Sequence, residues 1–541
     1  MSATQQDPGI WLITSGAYVS QELAIEFGNL PPVLLPVGVK RLYEYQLERL
    51  GAGHRLFLTL PEAYVIGEHD QARLDELGVT VLAVPEGLSL GESIVFALNL
   101  ISLPDQPVRI LHGDTLIDGL DVSKLDHIGV ADAGADYTWA EVQLEDGVIT
   151  SMTTVVAGTP GEQRAPIACG WFSFSSSAAL VRNLTRARGD FLRGITLYGT
   201  DHPLRVLPVL AWYDFGHVGT FFRSRRLLVS SRAFNSLHID GLVARKSSDD
   251  IAKMRAEADW LRSVPPRVRL YSARLIDAGE DGGRGFYETE YAYLPTLGEL
   301  FVFGTLGRPS WMRILKSCRA FLDACVTAHG PDSADVALRA LAETKTIERL
   351  IEFRDQAGFD IHADLRFEGK PVPSIAQIAD MIAARIDFAT GRRAIVMHGD
   401  FCFSNILYNS RVERIQVIDP RGYTKNGDRT IFGDLRYDLA KFSHSVFGRY
   451  DQIIAGRYAM SAQGNSDFSI SFEAAAHHPW LEAAMREMVI DGVAAHGQDV
   501  RALTIGLFLA MLPLHADRPD RQRAFIANAL RLFVDFDRSG G

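Results

Sequence analysis

The 541-residue sequence lacks the features that mark several common classes of protein. Its four cysteines, Cys169, Cys318, Cys325 and Cys402, form no CxxC pair, so neither a zinc knuckle nor a disulfide framework is indicated, and we expect buried thiols. No uninterrupted apolar run reaches the length of a membrane span, and no lysine or arginine precedes Lys40, which argues against a secretory signal. We therefore expect a cytoplasmic protein without membrane insertion.

Positive charge is also scarce. The chain has 55 lysines and arginines against 66 aspartates and glutamates, for a formal net charge of -11, and no local basic stripe is present. Nucleic acid is therefore an improbable partner. The balance of 47% hydrophobic and 22% charged residues is typical of a globular enzyme, and the length predicts more than one domain.

The first part of the chain alternates strand-like and helix-like segments. Ile10–Thr14, residues 56–60 and Val79–Val84 are apolar, β-branched runs of strand length, whereas Leu42–Leu50 has helical spacing. This alternation predicts an α/β domain with a mostly parallel sheet.

The pattern changes near Arg232, where residues 234–239 and 242–247 read as two strands around an Asp-Gly turn. We place a domain boundary there, giving domains 1–232 and 233–541. From about Gly307 the sequence is mainly helical in period, apart from a polar strand–loop–strand segment that ends at Asp419. The second domain is accordingly expected to have an N-lobe over 233–300 and a C-lobe over 301–541.

The most informative motif lies in that polar segment. A short strand leads to His398 and Asp400, four residues separate Asp400 from Asn405, and a second strand ends at Asp419. Phosphoryl transfer needs a carboxylate that orients and deprotonates the acceptor hydroxyl, which Asp400 can supply. It also needs oxygen ligands for Mg²⁺, which Asn405 and Asp419 can supply. The alternative is that these residues only cap turns between strands.

This motif resembles the HxDxxxxN loop and the following metal-binding aspartate of the aminoglycoside phosphotransferase and choline kinase family. The resemblance implies a protein-kinase-like α+β fold over about 233–541, with MgATP as substrate. It further implies an ATP-anchoring lysine on an N-lobe strand and a glutamate on the next helix. Lys246 and Glu257 are the candidates. Lys253 is the alternative lysine, and a solvated strand end is the alternative reading of Lys246.

The surrounding sequence agrees with that reading. Ser248 or Asp249 can cap a helix that carries Glu257 beside its apolar face. Residues 287–291 read as a strand, which in the resembling kinases leads into the adenine-binding hinge. Neither a GxGxxG loop before Lys246 nor an APE segment after Asp419 is present, which disfavours a protein kinase and favours a small hydroxyl-bearing acceptor.

Three further residues have less specific interpretations. Asp438, in the segment that begins at Gly433, is expected to support the catalytic loop through backbone amides, with helix capping as an equal alternative for this segment. Lys345 and Arg349 are i,i+4 neighbours that could face an anionic substrate, but a solvated helix face is the preferred explanation.

In the first domain, two strands end in carboxylates. Residues 107–112 lead to Asp114, and residues 207–213 lead to Asp214. Ligands of open α/β sheets gather at the carboxyl ends of strands, so the two side chains could hold one Mg²⁺ between a nucleoside triphosphate and an attacking phosphate.

These features resemble the sugar-phosphate nucleotidyltransferases and phosphocholine cytidylyltransferases over about residues 10–232. The resemblance is carried by residues 34–37, Lys40, residues 45–47, Asp114 and Asp214. It implies a Rossmann-like fold and a second nucleoside triphosphate, with CTP as one candidate. The family's triphosphate loop and base-contacting segment correspond to Gly16, Lys40, Gly87 and Ser93. A solvated Lys40 and a plain turn with a helix cap at 87–93 are the alternatives.

The early loop departs from that family. Between Gly16 and Pro32 it carries Glu22 and Glu26 but no arginine, and proline stands where the family has its lysine. Either backbone N–H groups at a helix start bind the triphosphate, or the site has been lost and the domain binds product, sugar or a partner. A glycosyltransferase ranks lower, because no DxD triplet occurs near Asp114.

The sequence thus predicts a bifunctional enzyme, possible also as a homo-oligomer. The C-terminal domain phosphorylates a sugar, polyol or amino alcohol with MgATP, and the N-terminal domain converts the product into a nucleotide diphosphate derivative. The pathway by analogy is capsule or other surface polysaccharide synthesis. The alternatives are a kinase with a silent N-terminal binding or regulatory domain, and a non-enzymatic protein with two decayed catalytic domains.

Overall fold

A computed structural model describes residues 9–50, 54–132, 137–157, 165–230, 236–464 and 466–539. The chain divides into two compact units, Met1–Arg225 and Arg226–Gly541. The boundary predicted after Arg232 lies outside the described residues. None of the described helices is both long enough and apolar enough to cross a lipid bilayer.

The first unit is built on a nine-stranded sheet with the order β5-β4-β1-β6-β11-β8-β12-β10-β9. Its strands, with those of two small two-stranded sheets, are β1 Ile10–Thr14, β2 Pro36–Val37, β3 Lys40–Arg41, β4 Arg55–Pro61, β5 Val79–Val84, β6 Val108–His112, β7 Thr115–Asp118, β8 His127–Ala131, β9 Trp139–Glu145, β10 Val148–Val155, β11 Ile167–Phe174, β12 Arg205–Pro208 and β13 Ala211–Asp214.

The prediction of a mostly parallel sheet is correct only for its first half. β5, β4, β1 and β6 are parallel, whereas β11 pairs antiparallel with both β6 and β8, and β10 pairs antiparallel with β9 and β12. The sheet is therefore mixed. Antiparallel partners need no crossover helix, and β9 and β10 are joined directly by a short turn.

Helices cover both faces of this sheet. The helices in this part of the chain are α1 Gln21–Phe27, α2 Leu42–Leu50, α3 Glu68–Glu76, α4 Leu90–Ile101, α5 Ser177–Arg186, α6 Phe191–Asp201 and α7 Val218–Ser230, with a 3₁₀ turn at Pro32–Leu34. Alternate residues of β1 enter two different cores. Ile10 and Leu12 pack with residues of α4, α5 and α6, whereas Trp11 and Ile13 pack with residues of α2 and α3. Burial on both faces explains why β1 is apolar throughout.

The segment 207–213, predicted as one strand, is two. β12 belongs to the large sheet, and after Val209 and Leu210 the chain enters β13, which pairs only with β7 in a separate small sheet. This break brings the end of β13 to the start of β7, because Asp214 is the register partner of Thr115.

The second unit begins with a four-stranded antiparallel sheet of order β14-β15-β17-β16. The strands of this unit are β14 Ser236–Asp240, β15 Val243–Ser248, β16 Leu275–Asp281, β17 Arg284–Glu290, β18 His329–Ser333, β19 Leu365–Phe367, β20 Lys370–Val372, β21 Arg393–Val396, β22 Ile406–Asn409, β23 Arg414–Val417, β24 Phe432–Gly433, β25 Ala459–Gln463, β26 Asp467–Ser471, β27 Val489–Ile490 and β28 Val493–Ala494. The predicted hairpin is thus present as β14 and β15.

The rest of the second unit is mainly helical. Its helices are α8 Ile251–Ser263, α9 Pro266–Arg269, α10 Leu297–Phe303, α11 Arg308–Cys325, α12 Asp335–Arg339, α13 Lys345–Ala357, α14 Ile375–Ala383, α15 Leu435–Val446, α16 Tyr450–Ile454, α17 His477–Glu487, α18 Gln498–Ala510 and α19 Pro519–Ser539, with 3₁₀ turns at Phe403–Asn405 and Leu512–His515. A π-helical turn, Ala340–Thr344, joins α12 to α13 in one continuous helix. All four cysteines are buried and unpaired, as expected.

Candidate active sites

The second unit brings the predicted phosphotransfer residues to one cavity of about 350 Å³. Asp400 follows β21, Asn405 ends a 3₁₀ turn, and Asp419 follows the β22–β23 hairpin. Asn405 Nδ2 donates hydrogen bonds to Asp400 Oδ2 at 2.8 Å and to the Asp400 carbonyl at 3.0 Å. Asp400, Asn405 and Asp419 all line the cavity. Their spacing therefore places them in one site, and turn capping alone does not account for them.

Lys246 and Glu257 meet in the same cavity. Lys246 Nζ lies 2.8 Å from Glu257 Oε2 and 3.1 Å from Asp419 Oδ1, and Tyr287 donates a hydrogen bond to the same Asp419 oxygen at 2.9 Å. Burial lowers the pKa of Lys246, but Asp419 and Glu257 outweigh it and raise that pKa above its ordinary value. Lys253 is farther away, at 3.9 Å from Glu257. Lys246 is therefore the better candidate for a phosphate anchor.

The cap of the helix that carries Glu257 lies one or two residues later than predicted. Asp250, and neither Ser248 nor Asp249, is the cap of α8, and its side chain accepts a hydrogen bond from the backbone N–H of Lys253. Ser248 cannot cap because it is still the last residue of β15, where it pairs with Gly285.

We expect Lys246→Met to remove the ion pair between Lys246 and Glu257 and to lower the free energy of unfolding. The change leaves Glu257, only 3% exposed, without its closest cation, which costs about 3 kcal/mol in comparable buried pairs. The double change Lys246→Met with Glu257→Leu should recover most of that loss without recovering turnover. Thermal unfolding and ATP consumption measured on both variants check this. Equal turnover in the wild type and the double variant would show that the pair is only structural.

Asp400 is held ionised by a neighbouring cation that the sequence did not reveal. Lys441 Nζ, on α15, lies 2.8 Å from Asp400 Oδ1. Burial raises the pKa of Asp400, but Lys441 outweighs it and holds the pKa well below its ordinary value. The carboxylate stays 40% exposed to the cavity. Asp400 is thus suited to accept a hydrogen bond from an acceptor hydroxyl and to orient it.

Asp438 holds the loop that contains His398, Gly399 and Asp400 through hydrogen bonds to its backbone. Its two carboxylate oxygens each accept a backbone hydrogen bond, from His398 and Gly399, at 2.7 Å. His398 Nε2 lies 3.0 Å from the Ile418 carbonyl, so the histidine ties the loop to the residue before Asp419. Burial lowers the pKa of His398 to about 4, which keeps it neutral. The predicted support by Asp438 is confirmed, and Asp434 is the residue that caps α15.

Asp438→Asn should weaken the hydrogen bonds that hold this loop without changing the affinity for the nucleotide. An amide presents one donor where the carboxylate presented a second acceptor, so one buried N–H loses its partner at a cost of about 1–3 kcal/mol. We expect kcat to fall about 10- to 100-fold while the KM for ATP changes little. Asp434→Asn is the matched control, since Asp434 pairs with Arg436 at 2.7 Å and should affect stability alone. Unchanged kcat in the Asp438 variant would contradict the assigned role.

The donor set suits a magnesium ion. The side-chain oxygen of Asn405 and the carboxylate of Asp419 are hard oxygen ligands, and Mg²⁺ completes its coordination with water and phosphate oxygens. Within the described residues no group of three or more histidine, cysteine, aspartate or glutamate side chains forms an all-protein metal site. The pair Asn405 and Asp419 would therefore hold the ion together with a bound nucleotide.

The prediction of a solvated helix face for Lys345 is wrong. Lys345 does not lie on a solvated helix face: it lines the cavity, because the π-helical turn directly before it shifts the phase of the helix. Arg349, one turn later, instead pairs with Glu352 at 2.6 Å. The cavity is also lined by polar residues that sequence reasoning missed, among them Arg421, Tyr437, Lys441 and His444. Their one common signal is proximity to Asp419 and Asp438 in the sequence.

In the first unit, Asp114 and Asp214 are neighbours. Gly216 lies against both: a Cβ at that position would come within 2.7 Å of Asp114 Oδ2 and 3.4 Å of Asp214 Oδ1. Burial and the Asp214 carboxylate raise the pKa of Asp114 to about 6. Thr220 donates a hydrogen bond to Asp214, and His217 Nδ1 lies 3.5 Å from the same oxygen. Two adjacent carboxylates, one buried and one half-buried, are a suitable binding site for a divalent cation.

The other predicted residues of this unit are only partly brought together. Gly16 packs against Ser93, since a Cβ on Gly16 would come within 3.0 Å of Ser93 Oγ. Gly87 occupies an open turn with φ of +81°, and Ser89, one turn before Ser93, caps α4. Lys40 forms an ion pair with Glu48 over the ring of Tyr45, and no contact joins it to Gly16, Asp114 or Asp214 in the part of the chain described.

The sequence matches no protein-family profile and no curated protein. Among solved structures, the chain is similar to a UTP-bound UGPase from Acinetobacter baumannii, at 13% identity and a TM-score of 0.31, covering 42% of this chain and 94% of that one. The inositol-1-phosphate CTP transferase from T. maritima matches at 14% identity and a TM-score of 0.33, covering 42% and 99%. A thermostable mutant of aminoglycoside phosphotransferase APH(4)-Ia matches at 16% identity and a TM-score of 0.36, covering 56% and 89%. The nucleotidyltransferases and the phosphotransferase match different parts of the chain.

Proposed function

We propose that the second unit transfers the γ-phosphoryl group of MgATP to a hydroxyl of a small molecule. The observation that carries the proposal is the joint placement of Asp400, Asn405, Asp419 and the Lys246–Glu257 pair around one cavity. Phosphoryl transfer depends mainly on positioning and on electrostatic stabilisation, and these residues supply both.

In this proposal each residue has a separate task. Asp400 accepts the hydrogen bond of the acceptor hydroxyl, orients its oxygen towards the γ-phosphorus and takes the proton as the P–O bond forms. Lys246 binds the α- and β-phosphates and is held by Glu257. Asn405 and Asp419 would hold a magnesium ion, whose charge would neutralise part of the negative charge of the phosphates. The products are a phosphomonoester and ADP.

We further propose that the first unit attaches a nucleotide to that phosphomonoester. The adjacent carboxylates Asp114 and Asp214 support a metal-dependent attack of the phosphate on the α-phosphorus of a second nucleoside triphosphate, CTP being one candidate, with release of pyrophosphate. The acceptors considered are sugars, polyols and amino alcohols. Consecutive steps of this kind would supply an activated precursor for capsule or other surface polysaccharide.

The specific alternative is a kinase whose first unit is catalytically silent. It is favoured by the early loop, where α1 contributes Glu22 and Glu26, and where Lys40 is paired with Glu48 at the surface. A triphosphate would then find no cation in this loop, and it would depend on the metal and on backbone amides.

Phosphorus NMR on the purified full chain tests both proposals. The protein is incubated with MgATP, a pool of CTP, UTP, GTP and dTTP, and a panel of sugars, polyols and amino alcohols. We expect a phosphomonoester first and a nucleotide diphosphate derivative later. Phosphomonoester without any pyrophosphate would favour the silent first unit. Absence of ATP consumption above the acceptor-free control would overturn the kinase proposal.

A further inference from the structure

The cavity of the second unit is lined by three cationic side chains in addition to Lys246 and Lys253. They are Lys345, Arg421 and Lys441, here called the cationic cluster, and Tyr437 lines the cavity with them. Over the whole cavity five cationic side chains face three carboxylates. This excess is local, because the chain as a whole has a formal net charge of -11.

The carboxylates of the cavity are already paired. Glu257 and Asp419 contact Lys246 at 2.8 and 3.1 Å, and Asp400 contacts Lys441 at 2.8 Å. Lys345 and Arg421 form no ion pair with any residue that the structure describes. The positive charge of these two side chains is therefore left for a ligand to neutralise.

The Arg421 side chain is fixed by aromatic neighbours in the absence of a ligand. The Arg421 guanidinium lies 5.4 Å from the ring centre of Tyr423 and 5.7 Å from that of Tyr437, and it donates a hydrogen bond to the Tyr437 hydroxyl at 3.3 Å. The absence of a side chain at Gly399, whose φ is +77°, makes space for the Arg421 side chain. A Cβ on residue 399 would lie 2.6 Å from Arg421 Cβ. A fixed guanidinium is well suited to bidentate binding of a carboxylate or phosphate.

The π-helical turn Ala340–Thr344 gives Lys345 its place in the cavity, and such turns are frequent at functional sites. Tyr437 raises the pKa of Lys345, whereas burial and the neighbouring cations together lower it to about 8. Burial raises the pKa of Tyr437, but Arg421 and the two lysines outweigh it and lower that pKa to about 8. Both shifts have the direction expected of uncompensated positive charge.

We propose that the acceptor of the phosphotransfer carries an anionic group, a carboxylate or a phosphate, which Lys345 and Arg421 bind while its hydroxyl lies at Asp400. This inference rests on the proposed kinase function and narrows its substrate class. Hydroxy acids, sugar acids and sugar phosphates fit the site, and neutral polyols and amino alcohols do not. Lys345 and Arg421 are then specificity-determining residues.

Matched acceptors test the charge requirement. ATP consumption by the full chain is compared for glucose, gluconate and glucose 6-phosphate, for glycerol, glycerate and glycerol 3-phosphate, and for choline. We expect kcat/KM at least about 100-fold higher for the anionic members of a series, since two charge-assisted contacts are lost with the neutral one. The carboxylate and phosphate members distinguish the two sources of charge. Equal or better turnover of the neutral or cationic members would overturn the proposal while sustaining the kinase.

Variants test the residues. Lys345→Met and Arg421→Met should each raise the KM for an anionic acceptor about 10- to 100-fold, with the KM for ATP changed less than about twofold. Arg421→Lys should recover part of the loss, and Lys370→Met, on the exposed strand β20, is the matched control. A raised KM for ATP with an unchanged acceptor KM would assign the cluster to the nucleotide and contradict the proposal.

A binding measurement keeps the inference testable without turnover. With a non-hydrolysable ATP analogue present, gluconate and inorganic phosphate are each compared with glucose for their effect on the Tm of the full chain. We expect at least one anion to raise the Tm of the wild type and of Lys370→Met, but not of the Lys345→Met, Arg421→Met double variant. A shift that the double variant retains, or no shift with either anion, would refute the site. Failure of the analogue itself to raise the Tm would instead count against the kinase function.

Discussion

Asp400→Asn is expected to lower acceptor-dependent ATP consumption about 100- to 10,000-fold, the range that a positioned proton acceptor contributes. The amide retains the shape of the carboxylate but cannot take the proton of the acceptor hydroxyl. The nucleotide site is left in place, because Lys246 contacts Glu257 and Asp419 and not Asp400, and because the amide oxygen of the variant can still accept the hydrogen bond of Asn405. The KM for ATP should therefore stay near that of the wild type, and the loss should appear in kcat.

The ion pair between Lys441 and Asp400 calls for a second variant in that experiment. The change leaves its ammonium, only 14% exposed, without its carboxylate, so part of the loss could come from a displaced lysine. The double variant Asp400→Asn with Lys441→Met removes the unpaired charge. If turnover stays low in both variants while the ATP analogue still raises the Tm, the carboxylate itself is required. Turnover restored in the double variant would show that Asp400 serves only to neutralise Lys441.

The parts of the site that could be predicted from the sequence are those linked by short segments. Asp400, Asn405 and Asp419 follow one another through a 3₁₀ turn and a two-stranded hairpin, so few arrangements of the chain are open to them. The strands β1 and β5 and the helix α2 are predicted to the residue, because strong apolar patterns mark them. The pairing of Lys246 with Glu257 needed the family resemblance in addition.

The remaining parts depend on contacts between distant segments. Lys345 enters the cavity through a π-helical turn that helical periodicity does not reveal, and a regular helix would give it a different direction. Arg421 depends on the rings of Tyr423 and Tyr437 and on the space left at Gly399. The mixed sheet of the first unit was missed for a similar reason, because strand pairing across long loops leaves no local signal.

Asp114→Asn should abolish nucleotidyl transfer and leave phosphorylation intact, so that the phosphomonoester accumulates. Removing one of two adjacent carboxylates weakens the divalent site, and the loss of several kcal/mol of charge stabilisation corresponds to about a thousandfold or more in rate. The kinase residues belong to a separate compact unit, so ATP consumption should be unchanged. Phosphorus NMR time courses of the wild type and the variant measure both steps in one sample.

The Tm of the Asp114→Asn variant distinguishes a loss of nucleotidyl transfer from misfolding. Burial and the nearby Asp214 disfavour the ionised form of Asp114, so the neutral amide should leave the Tm of the first unit unchanged or raise it. Asp118→Asn is the matched control, because Asp118 ends β7, the strand that begins directly after Asp114, and pairs with Arg49 at 2.5 Å. If the folded Asp114 variant still released pyrophosphate at the wild-type rate, Asp114 and Asp214 would not be the metal ligands of nucleotidyl transfer. If the wild type also releases none, the first unit is silent, and its cation-free early loop is the physical reason.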